Sequence, residues 1–200
     1  MTAYNLDRLR RFVGDVAALV DRAPAEADVL REGQTLLQDL IRHDDWLPAG
    51  FSQTDPTRYR QYLLHCDSAE RFSIVSFVWG PGQSTPIHNH TVWGLVGVLR
   101  GAEISQRFTR NDDGRLRAGA QERLETGQVE ALSSAADDIH QVSNAHADRV
   151  SVSIHVYGGN IGAVSRSTFD LEGKAKTFIS GYSNTQLPNL WDAQANEAAQ

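Results

Sequence analysis

A single cysteine, Cys66, is present in 200 residues. No internal disulfide can form, and a reducing cytoplasm is the expected setting. Basic residues are in deficit: 19 Lys and Arg stand against 25 Asp and Glu, a net charge of −6. With no basic run either, the chain lacks the electrostatic footprint of a nucleic-acid binder. Long apolar stretches are missing, and none reaches the roughly 20 residues that a membrane-spanning helix needs. The opening Met1-Thr-Ala-Tyr-Asn-Leu-Asp7 has neither the basic start nor the apolar core of a signal peptide. The expectation is a cytoplasmic protein with no membrane and no nucleic-acid partner.

No repeat and no Gly/Pro-rich linker divides the chain, and its length suits one core. Residues 1–200 are therefore expected to form a single domain, with a helical lead-in over 1–50, a β-rich body over 55–183 and a polar tail over 184–200. In the lead-in, Leu6, Leu9, Phe12, Val13, Val16, Leu19 and Val20 recur at helical spacing behind Asn5, a candidate cap. A second helix starts near Pro24 and carries Val29, Leu36, Leu37, Leu40 and Ile41; Gly33 weakens its middle. Neither helix carries chemistry, and both are expected to cover one outer face of a sheet. From Tyr59 onward, short strand-like runs follow one another without helices: 59–65, 71–79, 86–100, 103–110, 129–132, 140–143 and 150–157. Asn111-Asp-Asp-Gly114 is the clearest turn and leads into a solvent-facing arm over 115–125. The runs 168–171 and 176–180 suit a hairpin about Glu172-Gly173. Many short strands in sequence indicate a mainly β sandwich or jelly roll with the N-terminal helices packed outside.

The chemistry concentrates in Gly82-Gln-Ser-Thr-Pro-Ile-His88-Asn-His90-Thr-Val-Trp-Gly94-Leu-Val-Gly-Val-Leu-Arg-Gly101. On one strand, His88 and His90 would share a face and could chelate one metal, with Asn89 on the other side. An isolated H-x-H also occurs on surfaces and in hydrogen-bonded cores. The frame around this one resembles the first cupin motif, G-x5-H-x-H-x3-E-x6-G, with Gly94 in place of the glutamate. His140-Gln-Val-Ser-Asn144 resembles the H-x3-N end of the second cupin motif, with Ala135 and Asp137 where Pro and Gly usually precede it. His43 and His65 are expected to be solvated or structural, and His146, in a turn-like stretch, to be exposed. Three neutral imidazoles leave part of a metal's shell open, as in facial iron triads or catalytic zinc sites, so ligand count does not choose the metal. Such a shell leaves the ion's charge to be offset by an incoming thiolate or carboxylate.

The run Val150-Ser-Val-Ser-Ile-His-Val-Tyr157 alternates cleanly, with Ser151, Ser153, His155 and Tyr157 on one face. That face is either half solvated or a hydrogen-bonded row aimed at a metal. The order G-x5-H-x-H-x3-G-x6-G, H-x3-N, S-x-H-x-Y resembles the thiol dioxygenases of the cysteine dioxygenase family. The resemblance implies a cupin barrel with Fe(II) on His88, His90 and His140 and an outer row of Ser153, His155 and Tyr157. Animal members carry a cysteine at the Gly94 position, cross-linked to the tyrosine; Gly94 cannot form that bond. Cysteine-specific members use an early arginine for the substrate carboxylate, and the matching position here is Gln61, with Arg60 beside it. A glutamine there resembles bacterial 3-mercaptopropionate dioxygenases, whose later arginine corresponds to Arg166. The implied reaction joins a small thiol carboxylate, 3-mercaptopropionate, and O2 into 3-sulfinopropionate. A cysteine or mercaptosuccinate dioxygenase, a non-catalytic metal-binding cupin and an unrelated metal isomerase remain open.

Overall fold

A computed structural model describes residues 4–22, 25–134 and 138–191. Helix α1 spans Leu6–Asp21 and α2 spans Glu26–Ile41. Their apolar stripes put Leu9, Phe12, Val16, Leu37, Leu40 and Ile41 into one cluster. Fully burying a side chain of this kind contributes roughly 1.5–3 kcal/mol. Asn5 enters α1 through its backbone: its carbonyl accepts from Arg8 N at 3.1 Å, and its own N–H donates to Asp45 O at 2.9 Å. Its side chain makes no capping bond, contrary to the expectation for this position. Pro24 lies outside the described residues. No described helix is long and apolar enough to cross a membrane.

The strands are β1 (Arg60–Cys66), β2 (Ser73–Trp79), β3 (Ile87–His88), β4 (Gly94–Arg100), β5 (Ala102–Arg110) and β6 (Leu116–Glu125). After them come β7 (Val129–Leu132), β8 (Ile139–Asn144), β9 (Ser151–Tyr157), β10 (Arg166–Phe169) and β11 (Ala175–Phe178). They form two antiparallel sheets, β1-β2-β9-β4-β7 and β11-β10-β3-β8-β5-β6. This is the mainly β cupin arrangement, with the two N-terminal helices outside it.

Strand β9 runs through the middle of the five-stranded sheet, between β2 and β4. Its alternation divides two environments. Val152, Ile154 and Val156 join the cluster built by the helices, while Ser151, Ser153, His155 and Tyr157 are buried on the other face. The polar face is thus an interior, not a half-solvated surface. Two glycines permit the close approach of α2. A Cβ on Gly33 would come within 2.7 Å of Leu95 Cδ1, and one on Gly97 within 3.0 Å of Leu37 Cγ. Gly33, an oddity by helix propensity, is therefore explained by packing.

The expected continuous run 86–100 is broken. It comprises β3, a turn and β4, and Thr91 in the turn has a φ of +62°, a conformation that a β-branched residue rarely adopts. The turn at Asn111–Gly114 and the hairpin about Glu172-Gly173 form as expected, with Gly114 and Gly173 at positive φ. At the far end Leu190 is buried, and Trp191 is exposed beneath the guanidinium of Arg10.

Candidate metal centre

His88 sits on β3 directly opposite His140 of β8, so cross-strand pairing brings these two imidazoles together. His90 arrives differently. It lies past the end of β3, in the turn held by Asn89, whose N–H donates to Ser167 O at 3.2 Å and whose Oδ1 accepts from Ser167 N at 2.9 Å. The shared face expected from strand alternation is replaced by this turn. The three ring centroids are 4.8 to 4.9 Å apart, and the candidate ligand atoms all lie within 4.8 Å of one another. All three side chains are buried.

Hydrogen bonds set the tautomers of two of them. His88 Nδ1 lies 3.0 Å from the carbonyl of Pro86, which can only accept, so Nδ1 carries the proton and Nε2 keeps its lone pair. His90 Nδ1 lies 2.5 Å from Asp138 Oδ2, a carboxylate–histidine pair of the kind that orients metal ligands. Neither ring nitrogen of His140 has a hydrogen-bond partner. An orphaned buried imidazole beside two others whose lone pairs are free is the donor set of a divalent ion, so the residues fit a metal. Burial first, and the neighbouring histidines next, hold His88 and His140 well below the ordinary histidine pKa. Both are neutral at physiological pH, as ligation requires.

The cluster opens into a cavity of about 400 Å³. Tyr157 stacks on His90 with 5.3 Å between centroids. Its hydroxyl is 2.8 Å from His155 Nδ1, and His155 Nε2 is 2.8 Å from Ser153 Oγ. Phe77 stacks on His155 at 4.1 Å, and Trp79 Nε1 donates to Ser153 Oγ at 3.3 Å. The polar face of β9 is therefore one hydrogen-bonded row ending in the cavity.

Arg166 also lines the cavity. Its guanidinium donates through Nη2 to Ser180 Oγ at 2.8 Å and lies over the Phe178 ring, while buried Nε has no partner. Gln61 lines the same space and donates through Nε2 to Gly181 O. Arg60 does not. The side chain is paired with Asp55 and is absent from the cavity wall, so the residues of β1 next to one another face different surroundings. His43 is exposed and His65 half-buried against Phe72; His146, expected at the surface, is also half-buried.

Several residues of this region carry no local signal. Asp138 pairs with a histidine 48 positions away. Arg58 and Lys176 reach the cavity from the segment before β1 and from β11, where they are exposed. With Arg166 they put three cations and no carboxylate among its lining residues. Only closure of the barrel brings these positions together.

Comparison with known proteins places the arrangement. Residues 15–168 match the family described as cysteine dioxygenase type I. The chain is 25% identical over 166 residues to a cysteine dioxygenase type 1 of Danio rerio, covering 81% of this chain and 77% of that protein. Among solved structures, a Thermus thermophilus protein is 16% identical with a TM-score of 0.43, over 55% of this chain and 91% of that one. A Klebsiella pneumoniae double-stranded β-helix protein is 14% identical with a TM-score of 0.45, over 60% and 95%. The match over residues 15–168 spans the three buried histidines and the row on β9, and the chain belongs to the cysteine dioxygenase type I family.

Proposed function

We propose that the protein is a non-haem Fe(II) thiol dioxygenase of the cytoplasm, a single cupin domain that oxidises 3-mercaptopropionate with O2 to 3-sulfinopropionate. The observation that carries this reading is one cavity shared by three groups: the buried histidine cluster, the tyrosine end of the β9 row and an under-paired arginine. His88, His90 and His140 would hold the iron, which supplies the chemistry that joins O2 to a thiolate sulfur. The balance is simple: one thiol and one O2 give one sulfinic acid, and both oxygens end on sulfur.

The chain's own residues bind, orient and handle protons. Arg166 offers a guanidinium fork to the substrate carboxylate, a geometry that a lysine cannot reproduce. Tyr157 presents its hydroxyl to the reacting groups, held in place by His155 and Ser153. Gln61, neutral on β1, borders the substrate without adding charge. Cysteine differs from 3-mercaptopropionate by an ammonium on the middle carbon. That group would enter a cavity lined by Arg58, Arg166 and Lys176 with no carboxylate to receive it. The charge pattern therefore favours the substrate without the ammonium. Mercaptosuccinate is the second reading, because its extra carboxylate suits the exposed Arg58 and Lys176.

Oxygen uptake by the Fe(II)-reconstituted protein tests this against 3-mercaptopropionate, cysteine, mercaptosuccinate and cysteamine. The expected order puts 3-mercaptopropionate first in kcat/KM. Uptake led by cysteine would overturn the substrate assignment, and absence of thiol-dependent uptake would leave a binding-only cupin.

A further inference from the structure

The chain after β11 links the edges of the two sheets. Strand β11 is an outer strand of the six-stranded sheet, and β1 is an outer strand of the five-stranded one. Residues 180–184 run between them as a strap. Ser183 N–H donates to Gln61 O at 2.8 Å, and Ser183 Oγ accepts from Gln61 N at 3.1 Å. Asn184 Oδ1 accepts from Leu63 N at 2.8 Å, and its Nδ2 donates to Leu63 O at 2.9 Å. The strap thereby satisfies the free edge of β1. A second set of bonds ties it to the loop before β10. Gly181 N–H donates to Gly162 O at 3.0 Å, and the Tyr182 hydroxyl accepts from Gly162 N at 2.9 Å. Ser180, Tyr182 and Ser183 line the cavity.

Arg166 is held by this strap. Its guanidinium is buried, and among the described residues its one hydrogen-bond partner is Ser180 Oγ at 2.8 Å. The hairpin register sets Phe178 opposite Arg166, with Cζ 4.8 Å from the ring centroid. Stacking of that kind fixes the plane of a guanidinium but leaves it free to turn within the plane. The bond to Ser180 removes that freedom. Gln61 reaches the same place from β1, because its Nε2 donates to the carbonyl of Gly181, the residue after Ser180.

We infer that Ser180 is a positioning residue for the substrate carboxylate, and that Gln61 acts with it through the strap rather than by touching substrate. A bidentate pair needs two guanidinium N–H groups aligned with two carboxylate oxygens. Without the Ser180 hydroxyl, Arg166 stays charged and stacked but turns on Phe178, and the fork meets the carboxylate misaligned. Without the Gln61 bond, Gly181 loses one of its anchors. It has a φ of +62° and nothing within 4 Å of a Cβ placed there, so it can shift and carry Ser180 with it. The inference rests on the reading of Arg166 as the carboxylate anchor.

Binding and turnover test it separately. Calorimetry of the Fe(II)-loaded protein without oxygen measures affinity for 3-mercaptopropionate, and oxygen uptake measures turnover. Ser180→Ala should weaken binding and raise KM by roughly five- to tenfold, with kcat within about twofold. For cysteamine, which has no carboxylate, kcat/KM should stay unchanged. Gln61→Met, similar in length but without the amide, should move the same quantities in the same direction by less. The double variant should fall short of the combined single effects, because both act through one guanidinium. Wild-type affinity in Ser180→Ala, or an equal loss with cysteamine, would overturn the proposal. If that variant failed to fold, Gln61→Met would decide by the same two criteria. Fully additive effects would mean that Gln61 meets the substrate itself and would overturn its part. Weakened binding in the variants, with no thiol-dependent uptake by wild type, would retire the dioxygenase reading and leave the role of the strap standing.

Discussion

Gly94 of β4 is paired across the sheet with Tyr157 of β9, and a Cβ at position 94 would lie 3.1 Å from the phenol ring at Cδ1. The missing side chain is what lets this tyrosine lie flat beside His90. Gly94→Ala should therefore press on the ring without touching the histidines. The expected outcome is normal iron content with slower turnover; unchanged kinetics would mean that the phenol has room to move.

Replacing His88, His90 or His140 singly by Ala should strip or greatly weaken iron binding, because two remaining ligands chelate poorly. Asp138→Asn should weaken it by roughly ten- to a hundredfold, through the lost orientation of His90. The same Ala change at His43, His65 or His146 should leave metal content intact. Metal analysis of the purified variants decides, and full iron in His140→Ala would remove it from the ligand set.

Tyr157→Phe should keep iron and lose rate. A hydroxyl that acts only in the transition state is worth about 1–3 kcal/mol, roughly ten- to a hundredfold in kcat. Rates equal to wild type across pH would make Ser153, His155 and Tyr157 a structural row.

For Arg166→Ala, the expected loss in kcat/KM with 3-mercaptopropionate is about 2–4 kcal/mol, as for a broken charged hydrogen-bond pair. Cysteamine, which has no carboxylate, should be nearly indifferent. Arg60→Ala should leave carboxylate selectivity unchanged, since its guanidinium is engaged by Asp55 away from the cavity. The opposite pattern would move the carboxylate anchor to β1.

Glu103, buried on β5, links stability to pH. Its folded-state value, about 7, lies above the ordinary 4.5, so between these values the folded chain holds more protons than the unfolded one. Stability from this group is full at lower pH and is lost as pH rises through the folded value. Glu103→Gln, which cannot ionise, should gain on wild type by a few kcal/mol over that interval and then level off. Urea unfolding of both proteins at several pH values checks this; a difference independent of pH would contradict it.

Much of this structure is written locally in the chain. Period-two runs bounded by turn residues announce most strands, and the cleanly alternating 150–157 run shows both faces of β9 before any contact is known. The G-x5-H-x-H frame and H-x3-N pick out the three clustered histidines. What stayed hidden depends on distance or on a single residue of register. His90 is placed by Thr91 at positive φ and by Asp138, neither of which strand alternation anticipates. Arg60 and Gln61 are neighbours, so a one-residue shift exchanges a half-buried ion pair for a cavity wall. Glu103 reads as one more charged residue until β5 closes against the inner face of β9.

The most direct test of the proposed activity is the fate of labelled oxygen. Fe(II)-loaded protein supplied with 3-mercaptopropionate under ¹⁸O₂ should yield 3-sulfinopropionate carrying both labelled atoms, detected by mass spectrometry. Label absent from the organic product, or oxygen consumed with only disulfide formed, would contradict a thiol dioxygenase.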